Sequence, residues 1–99
     1  MVLNPESKIE YKAVQELLEL GAWVTKLNAA PGVPLGAPDR MFVYGEKWAV
    51  IEFKRDAKAP FRIGQKIQLD RLKKMNPFVY VVYPENWEEV KAELIAKFF

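Results

Sequence analysis

The stretch from position 36 to 56, GAPDRMFVYGEKWAVIEFKRD, sets Asp39, Glu52 and Lys54 among residues suited to a buried sheet. A charged side chain in apolar surroundings is costly unless it is paired or metal-bound, so three close together need a reason. If a hairpin turns at Gly45-Glu46, Tyr44 pairs with Lys47, and counting back along both arms sets Asp39 opposite Glu52. Lys54 then shares that face, because residues two apart on a strand point the same way. Opposed Cβ atoms lie about 4.5 to 5.5 Å apart, close enough for two carboxylates to share a cation and too close for two bare anions. With the backbone carbonyl of Phe53 as a further hard oxygen, the set suits Mg²⁺ or Mn²⁺. A three-residue turn would instead set Asp39 against Phe53. Taken alone, Asp39 after Pro38 is also a turn former, and Glu52 with Lys54 also a half-exposed ion pair worth under about 1 kcal/mol.

The rest of the chain narrows the chemistry. It has 99 residues, 51% hydrophobic and 28% charged, without cysteine or histidine. That length supports one compact domain, and the composition excludes disordered and fibrous classes. Disulfides, the usual zinc sites, thiol nucleophiles and imidazole bases are excluded as well, so catalysis would rest on carboxylates, lysine and a hard cation. No apolar run is long enough for a membrane span and no signal-peptide core is visible, which makes a cytoplasmic location the expectation. The net charge is only +2, but Lys54, Arg55, Lys58, Arg62, Lys66, Arg71, Lys73 and Lys74 face only Asp56 and Asp70 across their stretch. This predicts one positive side, or else a solvated charged helix.

The elements that must position these groups follow from pattern. Asn4 as N-cap, Pro5 at the first helical position and Gly21 as stop predict a helix from about Pro5 to Leu20. AWVTKL, residues 22 to 27, reads as a strand, and the Gly/Pro-rich run from Asn28 to Pro38 reads as a loop. DRMFVY and WAVIEFK form the hairpin around Gly45. A second helix runs from about Arg62 to Met75 and is stopped by Asn76-Pro77. FVYVVY, residues 78 to 83, is a continuous apolar strand, and a third helix follows Asn86, with Glu89 placed for a capping box. The order is α-β-β-β-α-β-α. Strands apolar on both faces imply a sheet covered on both sides, an α/β layered domain.

Helical phase selects two outlying polar residues. On the first helix Ile9, Ala13, Leu17 and Leu20 define the apolar arc, and Glu10 falls beside Leu17 and Val14. Glu10 is therefore the favoured helical acid. Glu6, one turn earlier on the same arc, reads as a first-turn acid favouring the helix dipole. On the second helix Gln65 shares a face with Leu69 and Leu72 and needs a partner, with Gln68 as its nearest rival.

Pro38-Asp39 followed by Glu52-Phe53-Lys54 resembles the PD-(D/E)xK nuclease motif. The wider set is most similar to the small stand-alone form of the virus-type replication-repair nuclease (VRR-NUC) family: Glu10, Lys26, Gly36-Ala37-Pro38-Asp39-Arg40, Ile51-Glu52-Phe53-Lys54 and Gln65, in order over nearly the whole chain. The proline-rich loop from Asn28 to Leu35 departs from that pattern. The resemblance implies a restriction-endonuclease-like core, with a mixed sheet flanked by helices. It also implies an endodeoxyribonuclease using Mg²⁺ or Mn²⁺ on branched or structured duplex DNA, such as a four-way junction.

In that reading Asp39, Glu52, the Phe53 carbonyl and Glu10 hold metal. Lys54 positions water and stabilises the transition state, while Lys26, Arg40 and Gln65 hold the scissile phosphate. Arg55, Lys58, Arg62 and Lys66 track the backbone. A non-catalytic nucleic-acid-binding module and a purely structural α/β domain are the competing readings; the first has no need of Asp39, Glu52 and Lys54 together, the second no need of an inward Glu10 and Gln65. A symmetric homodimer is also expected, because FVYVVY, IEF and Ile95, Phe98 and Phe99 offer more apolar area than three short helices readily cover.

Overall fold

A computed structural model describes residues 4–27, 38–76 and 78–99. The expected loop from Asn28 to Leu35, Gly36-Ala37 and the helix stop at Pro77 lie outside these residues. The element order is α1 (Pro5–Glu19), β1 (Trp23–Lys26), β2 (Arg40–Tyr44), β3 (Lys47–Phe53), α2 (Gln65–Met75), β4 (Val79–Val82) and α3 (Trp87–Phe98). It is the order read from the sequence. One four-stranded sheet has the spatial order β1-β2-β3-β4, with β1–β2 and β2–β3 antiparallel and β3–β4 parallel. The protein is thus mixed α/β.

Tyr44 pairs with Lys47, Val43 with Trp48 and Arg40 with Ile51, the register of the two-residue turn. Gly45 takes φ 63° there, a left-handed conformation that glycine accepts without strain. One step beyond Arg40–Ile51 brings Asp39 opposite Glu52.

The central strand β3 separates two apolar layers. Ala49, Ile51 and Phe53 pack with Ile9, Ala13 and Leu17 of α1 and with Trp87, Val90, Leu94 and Phe98 of α3. On the opposite face Val50 meets Leu69 of α2 and Val79 of β4, flanked by Leu27, Met41 and Leu72. Glu52 and Lys54 belong by alternation to this second, thinner layer. The sheet face that α2 leaves open carries Trp23, aligned through Val43 with Trp48, and both tryptophans are exposed.

Two expectations need correction. Asn86 caps α3 without a side-chain hydrogen bond to that helix, so no capping box with Glu89 forms. Its amide is engaged on β4 instead, accepting from the Tyr83 N–H at 2.9 Å and donating to the Val81 carbonyl at 2.9 Å. The apolar area invoked for a dimer is also largely covered within the chain. Val79, Val82, Ile51, Phe53 and Phe98 are buried. Phe98 packs on Phe42 and edge-on to Phe78, and Phe99 lies 4.3 Å from the Tyr44 ring centroid. Of the terminal group, only Ile95 is exposed. Among the described residues, no helix is long and apolar enough to cross a membrane.

Candidate active site

The charged residues gather at the end of the sheet where β2 begins and β3 ends. Asp39 precedes β2, its carbonyl accepting the Leu27 N–H at 2.9 Å. Its carboxylate reaches across the hairpin, and Oδ2 accepts the Phe53 N–H at 2.8 Å. This fixes Asp39 over the last residues of β3 although it lies outside the ladder. Phe53, expected to offer its carbonyl as a ligand, contributes its N–H here and buries its ring in the larger core.

Glu52 is 1% exposed. Its Oε2 lies 3.3 Å from Lys54 Nζ and its Oε1 3.7 Å from the Arg62 guanidinium, yet Oε1 takes part in no hydrogen bond among the described residues. A buried carboxylate oxygen left in this way is costly. Burial and the neighbouring Asp39 charge push the Glu52 carboxyl up to about 7, against the opposing pull of Lys54, the Gln65 amide and Arg62.

Lys54 is buried too, and its ammonium is held on several sides. It donates to Gln65 Oε1 at 2.8 Å and to the Pro60 carbonyl at 3.2 Å, and stands 5.0 Å from the centroid of the Phe61 ring. Gln65 is fully buried at the first position of α2. Its Oε1 also accepts the Arg62 N–H at 3.2 Å, while Nε2 has no partner among the described residues. The helix starts at Gln65, three residues later than the pattern predicts. Gly64, at φ 79°, turns the chain into it, and the preceding segment folds over Lys54 instead of extending the helix. The result is a cleft of about 280 Å³ lined by Glu6, Glu52, Lys54, Arg55 and Arg62, with Ala59 and Pro60 on one wall.

Glu6, not Glu10, brings the helical acid to this cleft. One oxygen each of Glu6, Asp39 and Glu52 lies within 4.8 Å of the others. Glu10 instead receives the Arg40 guanidinium, Nε to Oε2 at 2.7 Å, on the half-buried flank of α1. The reason is where the helix starts. Asn4 Oδ1 accepts the Ser7 N–H at 2.7 Å and caps α1 at Pro5, which leaves the first turn over the acidic end of the hairpin and the second over β2. Both glutamates lie on one arc, so helical phase could not separate them; only the crossing of α1 over the sheet does.

This pairing also occupies Arg40, expected on the phosphate. Lys26, at the end of β1, is exposed and aligned with Arg40. Of the expected backbone-tracking cations, Arg55 and Arg62 line the cleft, while Lys58 and Lys66 are exposed beside it in sequence. Arg55 also approaches Asp56 at 3.5 Å, and the Asp56 carboxylate accepts the Lys58 N–H at 2.8 Å. Phe61 is the neighbour the sequence reading passed over; its signal is an aromatic residue set beside Arg62 in a basic run.

The chain matches no protein-family model, and no curated protein or solved structure is significantly similar to it.

Proposed function

We propose that this protein is a metal-dependent endodeoxyribonuclease with a restriction-endonuclease-like core, hydrolysing phosphodiester bonds in branched or structured DNA. The observation that carries the reading is the Glu52 carboxylate: buried, with Oε1 outside any hydrogen bond among the described residues, with one of its oxygens grouped with oxygens of Asp39 and Glu6, and beside a lysine held in place by Gln65. An all-oxygen donor set with an unanswered buried member fits Mg²⁺ or Mn²⁺, with Asp39, Glu52 and Glu6 as holders. When bound, such an ion neutralises charge building on the phosphate and acidifies a water.

The chain's own groups do the rest. Lys54, fixed by Gln65 and the Pro60 carbonyl, presents a positive charge to the phosphate oxygens as negative charge accumulates. Gln65 acts through Lys54 as a positioning residue. Arg55 and Arg62 hold the phosphate in the cleft, and Lys58, Lys66 and Lys26 follow the flanking backbone. Arg40 keeps α1 seated on β2 through Glu10, and so keeps Glu6 over the hairpin. Choice of DNA as substrate, and of branched DNA in particular, follows the resemblance of the Pro38-Asp39 and Glu52-Phe53-Lys54 pattern. So does a two-fold dimer, which would offer two such sites to two strands.

The test is cleavage of labelled duplex, flap and four-way junction DNA in Mg²⁺, Mn²⁺ and EDTA, with sedimentation of the protein alongside. Divalent-dependent strand scission supports the proposal, and a mass twice the 11.5 kDa chain supports the dimer. Binding without scission in either metal would return the non-catalytic module.

A further inference from the structure

The segment that roofs Lys54 exposes apolar side chains where a solvated basic loop would not. Phe61 is 41% exposed although one side of its ring lies over the Lys54 ammonium. Ile63, two residues on, is 88% exposed, and Ile67 in the first turn of α2 is 59% exposed. None of the three is needed for the thinner core layer, which Leu69 and Leu72 supply from the same helix. Around them in sequence stand Arg55, Lys58, Arg62 and Lys66, and two of these, Arg55 and Arg62, line the cleft.

Apolar side chains in a basic segment, one of them against the Lys54 ammonium, complement a ligand with a flat apolar face and a negatively charged backbone. A nucleotide with its base out of the stack has both, whereas a paired duplex hides its base faces. Phe61 is also one side chain away from the group assigned to the phosphate, so a base resting there belongs to a nucleotide at or next to the scissile bond.

We infer that Phe61 and Ile63 form an apolar prong that receives an unpaired nucleobase beside the scissile phosphate, and that this contact directs the site to branch points and single-stranded flanks. The inference rests on the nuclease reading above. Stacking on an aromatic side chain tolerates any base, so the prong selects DNA structure and not sequence.

Two measurements test it. In the first, one labelled strand is cleaved in Mg²⁺ either in a splayed-arm substrate or in full duplex. Wild type favours the splayed arm; Phe61→Ala lowers that preference about tenfold, Ile63→Ser several-fold, and Phe61→Trp restores it. Ile63→Ser guards against misfolding and against indirect effects on Lys54, since that side chain is almost wholly in solvent. An equal loss on both substrates in Phe61→Ala, with Ile63→Ser unchanged, would reduce Phe61 to a support for Lys54 and overturn the inference.

The second measurement needs no cleavage: anisotropy of a fluorescent oligothymidylate and of a duplex of equal length, both in EDTA. Wild type binds the single strand more tightly relative to duplex than Phe61→Ala does. That result without cleavage in any metal would retain the prong and sink only the nuclease. Cleavage with an unchanged preference in both variants would sink only the prong. A change in sedimentation of Phe61→Ala with both preferences unaltered would assign the surface to a second copy of the chain and overturn the inference as well.

Discussion

Two glutamates, half-buried Glu16 and fully buried Glu52, meet opposite fates. At Glu16, on α1, burial pushes the carboxyl up, but hydrogen bonds from Lys91 and Trp87 outweigh it and hold it below the usual carboxylate range. Each oxygen has its own donor, the ammonium of Lys91 at Oε1 and the indole N–H at Oε2, and together they tie α1 to α3. At Glu52 the sheet places a second carboxylate opposite, the nearest cation is shared with Gln65 and Pro60, and Oε1 is left without a hydrogen bond. Glu16 is what a half-buried structural acid looks like when its neighbours are chosen for it. Glu52 is held in an environment that suits its charged form only when more positive charge arrives.

The largest predicted effect separates the two clusters by activity. Asp39→Asn and Lys54→Ala should each lower DNA cleavage by roughly 10³-fold, whereas Glu16→Gln should leave it within about twofold. Rates on a junction substrate in Mg²⁺ check this, and comparable losses at Glu16 would erase the distinction.

Next comes pH. Because the folded Glu52 carboxyl is raised from 4.5 to about 7, its contribution to stability is full below pH 4.5 and is lost as pH rises through 7. In EDTA that loss is roughly 3 kcal/mol, and Glu52→Gln should remove it. Glu16 has the opposite slope: its depressed pKa contributes above the usual carboxylate value and fades on acidification. Urea titrations from pH 2 to 8 on wild type, Glu52→Gln and Glu16→Gln would show whether the slopes differ in sign.

A smaller effect distinguishes the two acids of α1. Glu6→Gln should weaken Mn²⁺ binding about tenfold at unchanged stability, and Glu10→Gln should cost about 1 kcal/mol of stability through the loss of Arg40. Calorimetric titration with Mn²⁺ and melting curves read the two separately. Smallest of all, Glu16→Gln should cost about 1 kcal/mol or less, since the amide oxygen still accepts from Trp87 and the partly exposed Lys91 ammonium, which loses its acceptor, turns to water.

The hairpin was readable because its information is local. Gly45 and the alternation along both arms determine which residues oppose each other, and that alone brings Asp39 against Glu52 and turns Lys54 to their side. The element order was readable for the same reason, since caps, glycines and periodicity are short-range signals. Where the sequence misled, the deciding term was long-range. Whether Glu6 or Glu10 enters the site depends on where α1 crosses the sheet, which no pattern within α1 encodes. Asn86 had two uses, a helix cap and a brace for β4, and the second could be seen only once Val81 and Tyr83 were in place. The surplus apolar area at Phe98 and Phe99 vanished once their ring partners Phe42, Phe78 and Tyr44 were brought together by the sheet.

Crystals grown with Mn²⁺ and measured near the manganese absorption edge offer the most direct test of the contrast between Glu52 and Glu16. A strong anomalous peak shared by the carboxylates of Glu6, Asp39 and Glu52, and lost in Asp39→Asn, is the predicted result. A fully ordered site without a peak, or a peak held by Glu10 in place of Glu6 and Glu52, would contradict the account.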